Sequence, residues 1–449
     1  MAILTDRFPS TSVFFASLAA LVATVMALQA VGPAPVLALY IVPWIVVFFY
    51  HRFTWLLMLW PGFLPLLGIF PELTFRAGPI TFLPLDPVYF LSLACFAFAI
   101  LSQPTKLVRS LKVNPYLSFF LLMLIAYIIL FTPIHGKSAI GEARKFYFYF
   151  LLPLLTVFFM KTIHDLHRIL LAFLFAGICL LIIAYLRLGI GTPLRDLAHS
   201  GASLILLFMV LTILVFHLNQ EVLLNRNLDL MTVGLAVPII LMTQHRTVFL
   251  ASAFALSLVL WLYRHRTVIL AKAATAVLVV VTALGVVMVN APSFERYTVQ
   301  KISGLINPAA DRTGSWRIEG WQQQLGSLSG PSLFFGEGLG SYYSWMAGRY
   351  EVKTAPHNAF VQLVLKFGLV GLMIYVVLAL RFFRTTLSAR RSLPPGRMRA
   401  YVEVGLVNYG AAHAYMMGYG FELSMLIFFA LAMGAATLLR SRRNITQPI

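Results

Sequence analysis

Residues 200–218 read SGASLILLFMVLTILVFHL, with no aspartate, glutamate, lysine or arginine among them. A helix rises 1.5 Å per residue, so this run is about as long as the ~30 Å hydrocarbon core of a bilayer is thick. Runs of similar character recur along the whole chain. The pattern predicts helices that span a membrane.

The composition excludes the other large classes of protein. Of 449 residues, 60% are hydrophobic and 11% are charged, whereas a soluble domain carries about 25% charged residues. One core cannot bury so many apolar residues, which excludes a soluble enzyme or a disordered chain. The two cysteines, Cys95 and Cys179, both lie in apolar runs, which excludes a disulfide scaffold and a cysteine-based metal site. We therefore predict an all-α, polytopic integral membrane protein in which residues 1–449 form a single membrane domain.

Polar hinges divide the apolar sequence into fourteen candidate spans. Twelve spans are the alternative, because several runs are short and two of them could be re-entrant. The first run lacks a convincing cleavage site and is predicted to remain as a span. The candidates are 13–31, 34–50, 55–70, 87–102, 116–133, 146–160, 169–186, 200–218, 230–243, 247–263, 268–289, 359–380, 400–418 and 421–438.

Lysine and arginine predict the orientation, because cytoplasmic loops are enriched in them. Six arginines lie between Arg381 and Arg399, and placing this cluster in the cytoplasm places both termini there. The largest loop, 290–358, then lies on the opposite face with further cations, which are either helix-end anchors and ion pairs or a site for a polyanion. The net charge of +19 reflects insertion signals and anionic lipids or substrates, so nucleic acid is not a predicted partner.

Many of the polar and charged residues of interest lie in the loop 290–358, which is predicted to contain short helices. Its helical stretch from Asp311 through Leu328 places Arg317, Trp321 and Gln324 at i, i+4 and i+7, on one face. A flexible turn, Gly336-Glu337-Gly338-Leu339-Gly340, follows. This Gly-x-Gly follows no predicted strand and precedes no lysine, so it does not indicate a nucleotide site.

The loop ends with Pro356-His357-Asn358 immediately before a long apolar run. Asn358 is suited to cap the helix that follows, which places His357 at the mouth of a span. An imidazole there is suited to proton transfer near neutral pH. The alternative is a helix-end histidine that is hydrogen-bonded to the backbone.

A second candidate lies in the tight hairpin Thr243-Gln244-His245-Arg246-Thr247, between two predicted spans on the same face as the large loop. The guanidinium of Arg246 is either a snorkelling anchor or a permanently charged clamp for phosphate. The loops on this face contain no Asp-x-Asp pair, the kind of oxygen-rich ligand set that usually holds a metal-bound diphosphate. No metal ligand and no cofactor are therefore predicted, and arginines would have to neutralise any diphosphate.

These features together resemble the bacterial O-antigen ligase and O-antigen polymerase superfamily. The resemblance rests on the hairpin Arg246, on Arg317-x-x-x-Trp321, on Gly336-Glu337-Gly338, and on His357-Asn358 followed by an apolar span with Gly368 and Gly371. Its specific part covers roughly residues 240–380, and the rest of the chain matches only in hydropathy.

The resemblance implies an activity and a place in the cell. Members of the superfamily join a glycan carried on undecaprenyl diphosphate to an acceptor hydroxyl at the periplasmic side of the inner membrane. For this chain it implies an inverting, metal-independent transfer, with lipid A-core oligosaccharide as the ligase acceptor and membrane lipids around it. His357 would be the general base, and Arg246 and Arg317 would bind the departing diphosphate.

Further residues are predicted to contact the substrate, on weaker sequence signals. For the lysine and arginines of this set, structural ion pairing is the alternative. For His413, which lies in a late apolar run, the favoured interpretation is a satisfied interhelical hydrogen bond. The predicted substrate-binding residues are Arg312, Trp321, Asn358, Arg144, Lys145, Arg187 and Arg195.

Two alternatives to a ligase remain open. A polymerase would use a second lipid-linked repeat unit as acceptor, and the same residues would serve it. A lipid-glycan transporter would require ionisable residues deep within spans along a path. The few candidates are Lys366, Glu403, His413 and Glu422, mostly near predicted span ends, so we rank a transporter below both enzymes.

Overall fold

The chain is described here by a computed structural model. Eleven helices, which are numbered below, and two short hairpins are present in the described residues, and residues 44–51 and 137–143 are also helical. The described residues are 44–58 (except 54 and 57), 75–82 (except 78 and 79), 86–105, 115–143, 146, 156–193 (except 157 and 161), 197–265 (except 199), 312–421 (except 348, 354 and 355) and 425–446.

Long apolar helices make up most of the described structure. The helices are α1 Asp86–Ser102, α2 Pro115–His135, α3 Ile163–Gly189, α4 Ser200–Leu218, α5 Arg226–Thr243, α6 Arg246–Leu262, α7 Arg312–Gly326, α8 Pro331–Phe335, α9 Ala359–Arg391, α10 Arg397–Met416 and α11 Met425–Thr446. The antiparallel hairpins pair β1 Phe75–Ala77 with β2 Ile80–Phe82, and β3 Trp345–Ala347 with β4 Tyr350–Val352.

Helices α3, α4, α5 and α9 are each long and apolar enough to cross a membrane. Shorter apolar segments occur at Leu91–Ser102, Leu122–His135, Arg246–Leu262 and Met425–Leu439. The predicted class, a mostly helical multi-pass membrane protein, is confirmed. The count of 12–14 spans and the single domain over 1–449 stay predictions, because the predicted spans 13–31 and 268–289 lie outside the described residues.

Helix α10 is the centre of the bundle and packs against α4, α6, α9 and α11. Nearly every residue from Ala400 to Met416 is buried. Two of its polar side chains bond to neighbouring helices: Asn408 Nδ2 donates to Thr212 Oγ1 over 3.0 Å, and His413 Nε2 lies 3.0 Å from Tyr375 Oη. The prediction of a satisfied interhelical hydrogen bond at His413 is therefore confirmed.

One end of the bundle is held by a buried carboxylate. Glu403 is fully buried, and its Oε1 accepts from Arg390 Nε at 2.6 Å and from Arg399 Nε at 2.9 Å. Its Oε2 accepts from Asn219 Nδ2 at 2.6 Å and from the hydroxyl of Tyr263. The opposite end, where α5 ends and α6 begins, is the one we call the hairpin end.

Helix α9 begins at Ala359, where the predicted loop 290–358 ends, and is interrupted one third of the way along. Gly368 adopts φ 65° and ψ −169°, which breaks the helical hydrogen bonding. The turn after α8 satisfies the freed carbonyls: Glu337 N donates to Leu365 O over 2.8 Å, and Gly338 N donates to Lys366 O over 3.2 Å. The predicted turn is present, and its backbone is bonded across the break in α9.

Replacing Gly368 with alanine should destabilise the protein. A Cβ there would lie 2.1 Å from Phe334 O, at a φ that side chains rarely adopt. We expect a loss of about 1–3 kcal/mol or more in the free energy of unfolding, read as a lower midpoint of thermal unfolding in detergent. Gly234→Ala on α5 is the matched control, because a Cβ there meets open space. Equal midpoints for the two variants would contradict the strained geometry.

A buried ion pair joins the first part of α9 to the segment after α2, and the large loop is hydrogen-bonded to both of its members. Lys366 is fully buried, and its Nζ lies 2.9 Å from Glu142 Oε2 and donates to Ser341 O over 2.5 Å. Glu142 also accepts from Gly340 N at 2.7 Å and from the Tyr343 hydroxyl at 3.1 Å. Burial, and then the charge of Glu142, raises the pKa of Tyr343 well above its ordinary value, so this hydroxyl is a donor.

Breaking this pair should cost far more than breaking an exposed one. Lys366→Met leaves the Glu142 carboxylate without its cation, and removing one partner of a buried pair typically costs about 3–5 kcal/mol. The control is Lys353→Met, whose pair with Glu351 is mostly exposed and should change stability by less than about 1 kcal/mol. Thermal unfolding of both variants measures the difference. A Lys366→Met midpoint as high as that of Lys353→Met would refute a stabilising role.

Candidate active site

A short backbone segment at the hairpin end, Met417–Gly420, connects α10 to the chain before α11 and contacts three separate parts of the protein. We call it the 417–420 connector. Arg317 Nη1 donates to Gly418 O over 3.2 Å. Asn358 Nδ2 donates to Met417 O over 2.9 Å. The connector therefore holds helix α7 and the start of α9 against each other.

His357 is positioned by the helix cap that follows it. The Oδ1 atom of Asn358 accepts from Phe360 N at 2.9 Å and from Val361 N at 3.1 Å, which confirms the predicted cap of α9. The His357 ring is half-buried, with its centroid 5.4 Å from that of Tyr419. Within the described residues its nitrogens make no hydrogen bond, which differs from the expectation for a helix-end histidine bonded to the backbone.

The surroundings of His357 favour a neutral imidazole. Burial lowers the pKa of His357 below its ordinary value, and the positive charge of Arg317 lowers it further. Both effects disfavour the protonated ring. A neutral imidazole has a nitrogen lone pair that can accept a proton, so His357 is suited to act as a base.

Helix α7 presents the face that the sequence predicted. Arg317, Trp321 and Gln324 all line one narrow cleft, which confirms that they share a side of the helix. Two further tryptophans and the imidazole complete the cleft. Its principal lining residues are Trp316, Arg317, Trp321, Gln324, Trp345 and His357.

Arg246 occupies the first position of α6, at the same end of the bundle. Gln244 takes the left-handed conformation with φ 49°, and the ring nitrogen Nε2 of His245 lies 2.9 Å from Ala198 O, so the hairpin is closed tightly. Thr247 packs directly on the connector, since a Cβ at Gly418 would lie 2.7 Å from its methyl group. The positive end of the α6 dipole and the Arg246 guanidinium both favour an anion here.

The structure thus brings His357 and Arg317 together at the connector and places Arg246 at the same end of the bundle, one residue from a contact with that connector. Arg317 bonds to Gly418, Thr247 next to Arg246 touches the same glycine, and His357 packs on Tyr419. Two guanidinium groups, a helix N-terminus and a neutral imidazole can together bind an oxyanion and remove a proton from a neighbouring hydroxyl.

Of the other predicted binding residues, the structure describes the positions of Arg187 and Arg312. Arg187 lies in the last turn of α3, and α4 begins at Ser200 at the hairpin end, where Tyr415 Oη donates to Ser200 Oγ. Arg312 is the first residue of α7, and its side chain lies outside the described part. The remaining predictions, Arg144, Lys145 and Arg195, also lie outside the described residues.

Sequence reasoning missed several residues of this region. Tyr419 contacts His357, and Gln362 Nε2 donates to Pro356 O over 2.6 Å, which fixes the chain just ahead of the imidazole. Trp345 packs against Trp316 with ring centroids 4.9 Å apart. Only the glycines flanking Tyr419 signalled a tight connector, and nothing in the spacing linked Trp345 to α7.

No group of three or more histidine, cysteine, aspartate or glutamate side chains converges within the described part of the chain. Arg317 is the charged side chain that is seen to bond to the connector among the described residues, through Gly418 O.

Comparison with known proteins identifies the segment that carries this site. Residues 231–376 match the family model described as O-antigen ligase, Wzy_C. The matched segment contains Arg246, Arg317 and His357 and ends within α9. No curated protein matches the chain.

Proposed function

We propose that the chain is a member of the O-antigen ligase and polymerase superfamily, because residues 231–376 match its family model, and that it is a glycosyltransferase that moves a glycan from undecaprenyl diphosphate to lipid A-core oligosaccharide. The proposed site faces the periplasm, and the protein lies in the bacterial inner membrane with both termini in the cytoplasm. The observation that supports this most is the meeting of His357, Arg317 and the Arg246 end of α6 at the 417–420 connector.

The proposed reaction is a single displacement. A nitrogen of His357 takes the proton of the acceptor hydroxyl while that oxygen attacks the anomeric carbon of the donor glycan. The bond from the anomeric carbon to the diphosphate oxygen breaks, and its electron pair leaves with the lipid diphosphate. Attack opposite to the leaving group inverts the configuration. General base catalysis of this kind contributes about 10²–10⁴-fold to the rate.

The arginines serve the leaving group. Negative charge grows on the diphosphate as the bond breaks, and groups already fixed at that position stabilise the transition state more than the bound substrate. Arg317 is held on α7 by its bond to Gly418, and Arg246 adds its charge to the dipole of α6. Each contact of this type is worth about 3 kcal/mol.

Asn358 acts in this scheme by positioning the base. Both ends of its amide bond to the protein, to the first turn of α9 and to Met417 O. We therefore propose that it orients His357 and does not contact the glycan. Arg187, Arg312, Arg144, Lys145 and Arg195 remain candidates for guiding the phosphates of acceptor or donor.

Incubation of the purified full-length protein with an undecaprenyl-diphosphate glycan tests the proposal. One arm adds lipid A-core, and the other adds only more donor. Glycan-extended lipid A-core is the expected product, whereas longer lipid-linked glycan alone would identify a polymerase and refute the ligase assignment. Movement of donor between leaflets of a liposome without any new glycosidic bond would refute glycosyl transfer itself.

Chelation is expected to leave the transfer rate unchanged. The proposed mechanism neutralises the diphosphate with Arg246 and Arg317 and requires no divalent cation. The assay is repeated after dialysis against EDTA and again with Mg²⁺ or Mn²⁺ restored. A rate that falls on chelation and returns with either ion would show that a metal takes part.

A further inference from the structure

The narrow cleft beside His357 has a volume of about 10 Å³, which is room for one hydroxyl-sized group, and its walls are largely aromatic. The Trp316 and Trp321 side chains on its walls are partly exposed, whereas Trp345 is 6% exposed and packs behind them. Small-ligand sites are typically lined by aromatic side chains with a few placed polar groups. The C–H face of a pyranose ring is apolar and flat, so it can stack on an exposed indole.

A polar group in the cleft is left for a ligand. Gln324 is 5% exposed, and within the described residues its Nε2 atom has no hydrogen-bond partner. A buried donor without a partner costs about 1–3 kcal/mol, so native structures usually satisfy such groups. A sugar hydroxyl or ring oxygen in the cleft would accept this bond.

The wall of the cleft is closely fitted. Gly320 on α7 lies under the Trp345 ring, where a Cβ would be 2.8 Å from Trp345 Cε2. Gln323, on the next turn, exchanges hydrogen bonds with the backbone of Met346, at 2.9 Å and 3.0 Å. Helix α7 and the β3–β4 hairpin therefore form one unit that holds the aromatic side chains in place.

We propose that the acceptor sugar ring that carries the attacking hydroxyl stacks on the partly exposed indoles of Trp316 and Trp321 at the mouth of the cleft, with one polar group of the sugar entering toward Gln324. A general base must lie within hydrogen-bond reach of the proton that it removes, and His357 lines this same cleft. Arg317, at the edge of the cleft, would face the diphosphate of the donor. The inference rests on the proposed function for the direction of transfer, but sugar binding by the cleft can be measured without any transfer.

Binding of lipid-free glycans to the full-length protein tests the cleft. Titration calorimetry would use delipidated core oligosaccharide in one arm and the lipid-free repeat-unit glycan in the other, with inorganic pyrophosphate as the non-sugar probe. We expect Gln324→Leu to weaken binding of the acceptor glycan, the one of the two that the cleft binds, about fivefold to tenfold, because one hydrogen bond is lost. Trp316→Ala should weaken binding of the same glycan at least as much. Pyrophosphate binding should not change in either variant.

A control variant and the transfer assay separate the two proposals. Trp261→Ala removes an exposed indole near the opposite end of α6 and should leave glycan affinity unchanged. In the transfer assay Gln324→Leu should raise the acceptor KM and leave the donor KM and the pH profile unaltered. Unchanged glycan affinity in both cleft variants overturns this inference even if transfer occurs. Cleft-dependent glycan binding without transfer supports it and overturns the proposed function.

Discussion

His357→Ala is expected to lower the transfer rate about 10²–10⁴-fold while the protein accumulates and unfolds like the wild type. The imidazole is half-buried beside Tyr419 and Arg317 and makes no hydrogen bond within the described residues, so removing it breaks no described polar contact. The measurement is initial rate at saturating donor and acceptor, together with the midpoint of thermal unfolding.

The control for this variant is His265→Ala, which removes an exposed histidine just after α6, at the other end of the bundle. It should transfer glycan at the wild-type rate. A His357→Ala protein that retained most of its activity, or one that lost activity only because it unfolded, would remove His357 from the role of base.

The pH dependence of transfer reports the same group. A base works only when unprotonated, so kcat/KM should fall tenfold per pH unit below the pKa of His357 and level off above it. Because burial and Arg317 lower that pKa, the acid limb should lie below the ordinary range of histidine. Removing the charge of Arg317 should shift the limb to higher pH. An acid limb that did not move would separate the titrating group from Arg317.

The sequence alone predicted the class of fold, the shared face of α7 and the cap of α9 for physical reasons. Runs such as 200–218 have no other stable place than a bilayer, and the spacing of Arg317, Trp321 and Gln324 follows directly from 3.6 residues per turn. Asn358 ahead of an apolar run is a cap wherever the helix lies. These are local rules, and they need no tertiary contact.

The remaining features depend on contacts between distant parts of the chain. Gly368 looks like an ordinary small residue within a span, and only its contact with Phe334 shows that α9 must break there. Lys366 was predicted near a span end, yet it is buried against Glu142, more than two hundred residues earlier. No spacing rule relates Trp345 to Gly320, because hydrophobic pattern does not specify which loop covers which helix.

The role of Arg246 also depends on contacts between distant parts of the chain, so the sequence alone left it open. In the sequence Arg246 was either an anchor at the membrane surface or a phosphate clamp. In the structure the first turn of its helix packs on Gly418, the glycine whose carbonyl accepts from Arg317. An anchor needs only lipid around it, whereas a helix start that packs on the same connector as Arg317 is consistent with the proposed clamp.

Arg317→Lys is therefore expected to reduce kcat about 10²–10³-fold, although the charge at this position is unchanged. Guanidinium presents a planar fork of N–H groups in fixed directions, one of which bonds to Gly418 O, whereas an ammonium is a single point charge on a flexible stem. The loss should fall mainly on kcat, since the charge that the fork stabilises grows in the transition state. Arg349→Lys, an exposed arginine of the same large loop, is the matched control and should have the wild-type rate.

Combining Arg317→Lys with Arg246→Lys tests whether the two arginines act on the same group. Arg246→Lys should also lower kcat, and the double variant should lose less than the product of the two single losses, because both groups act on one leaving diphosphate and their effects are coupled. Single-turnover rates with undecaprenyl-diphosphate glycan are measured for the wild type, both single variants and the double variant, which together form a double-mutant cycle. Strictly multiplicative losses would mean that the two arginines act at separate places, and a fully active Arg317→Lys protein would mean that charge alone, without the fork, is sufficient at this site.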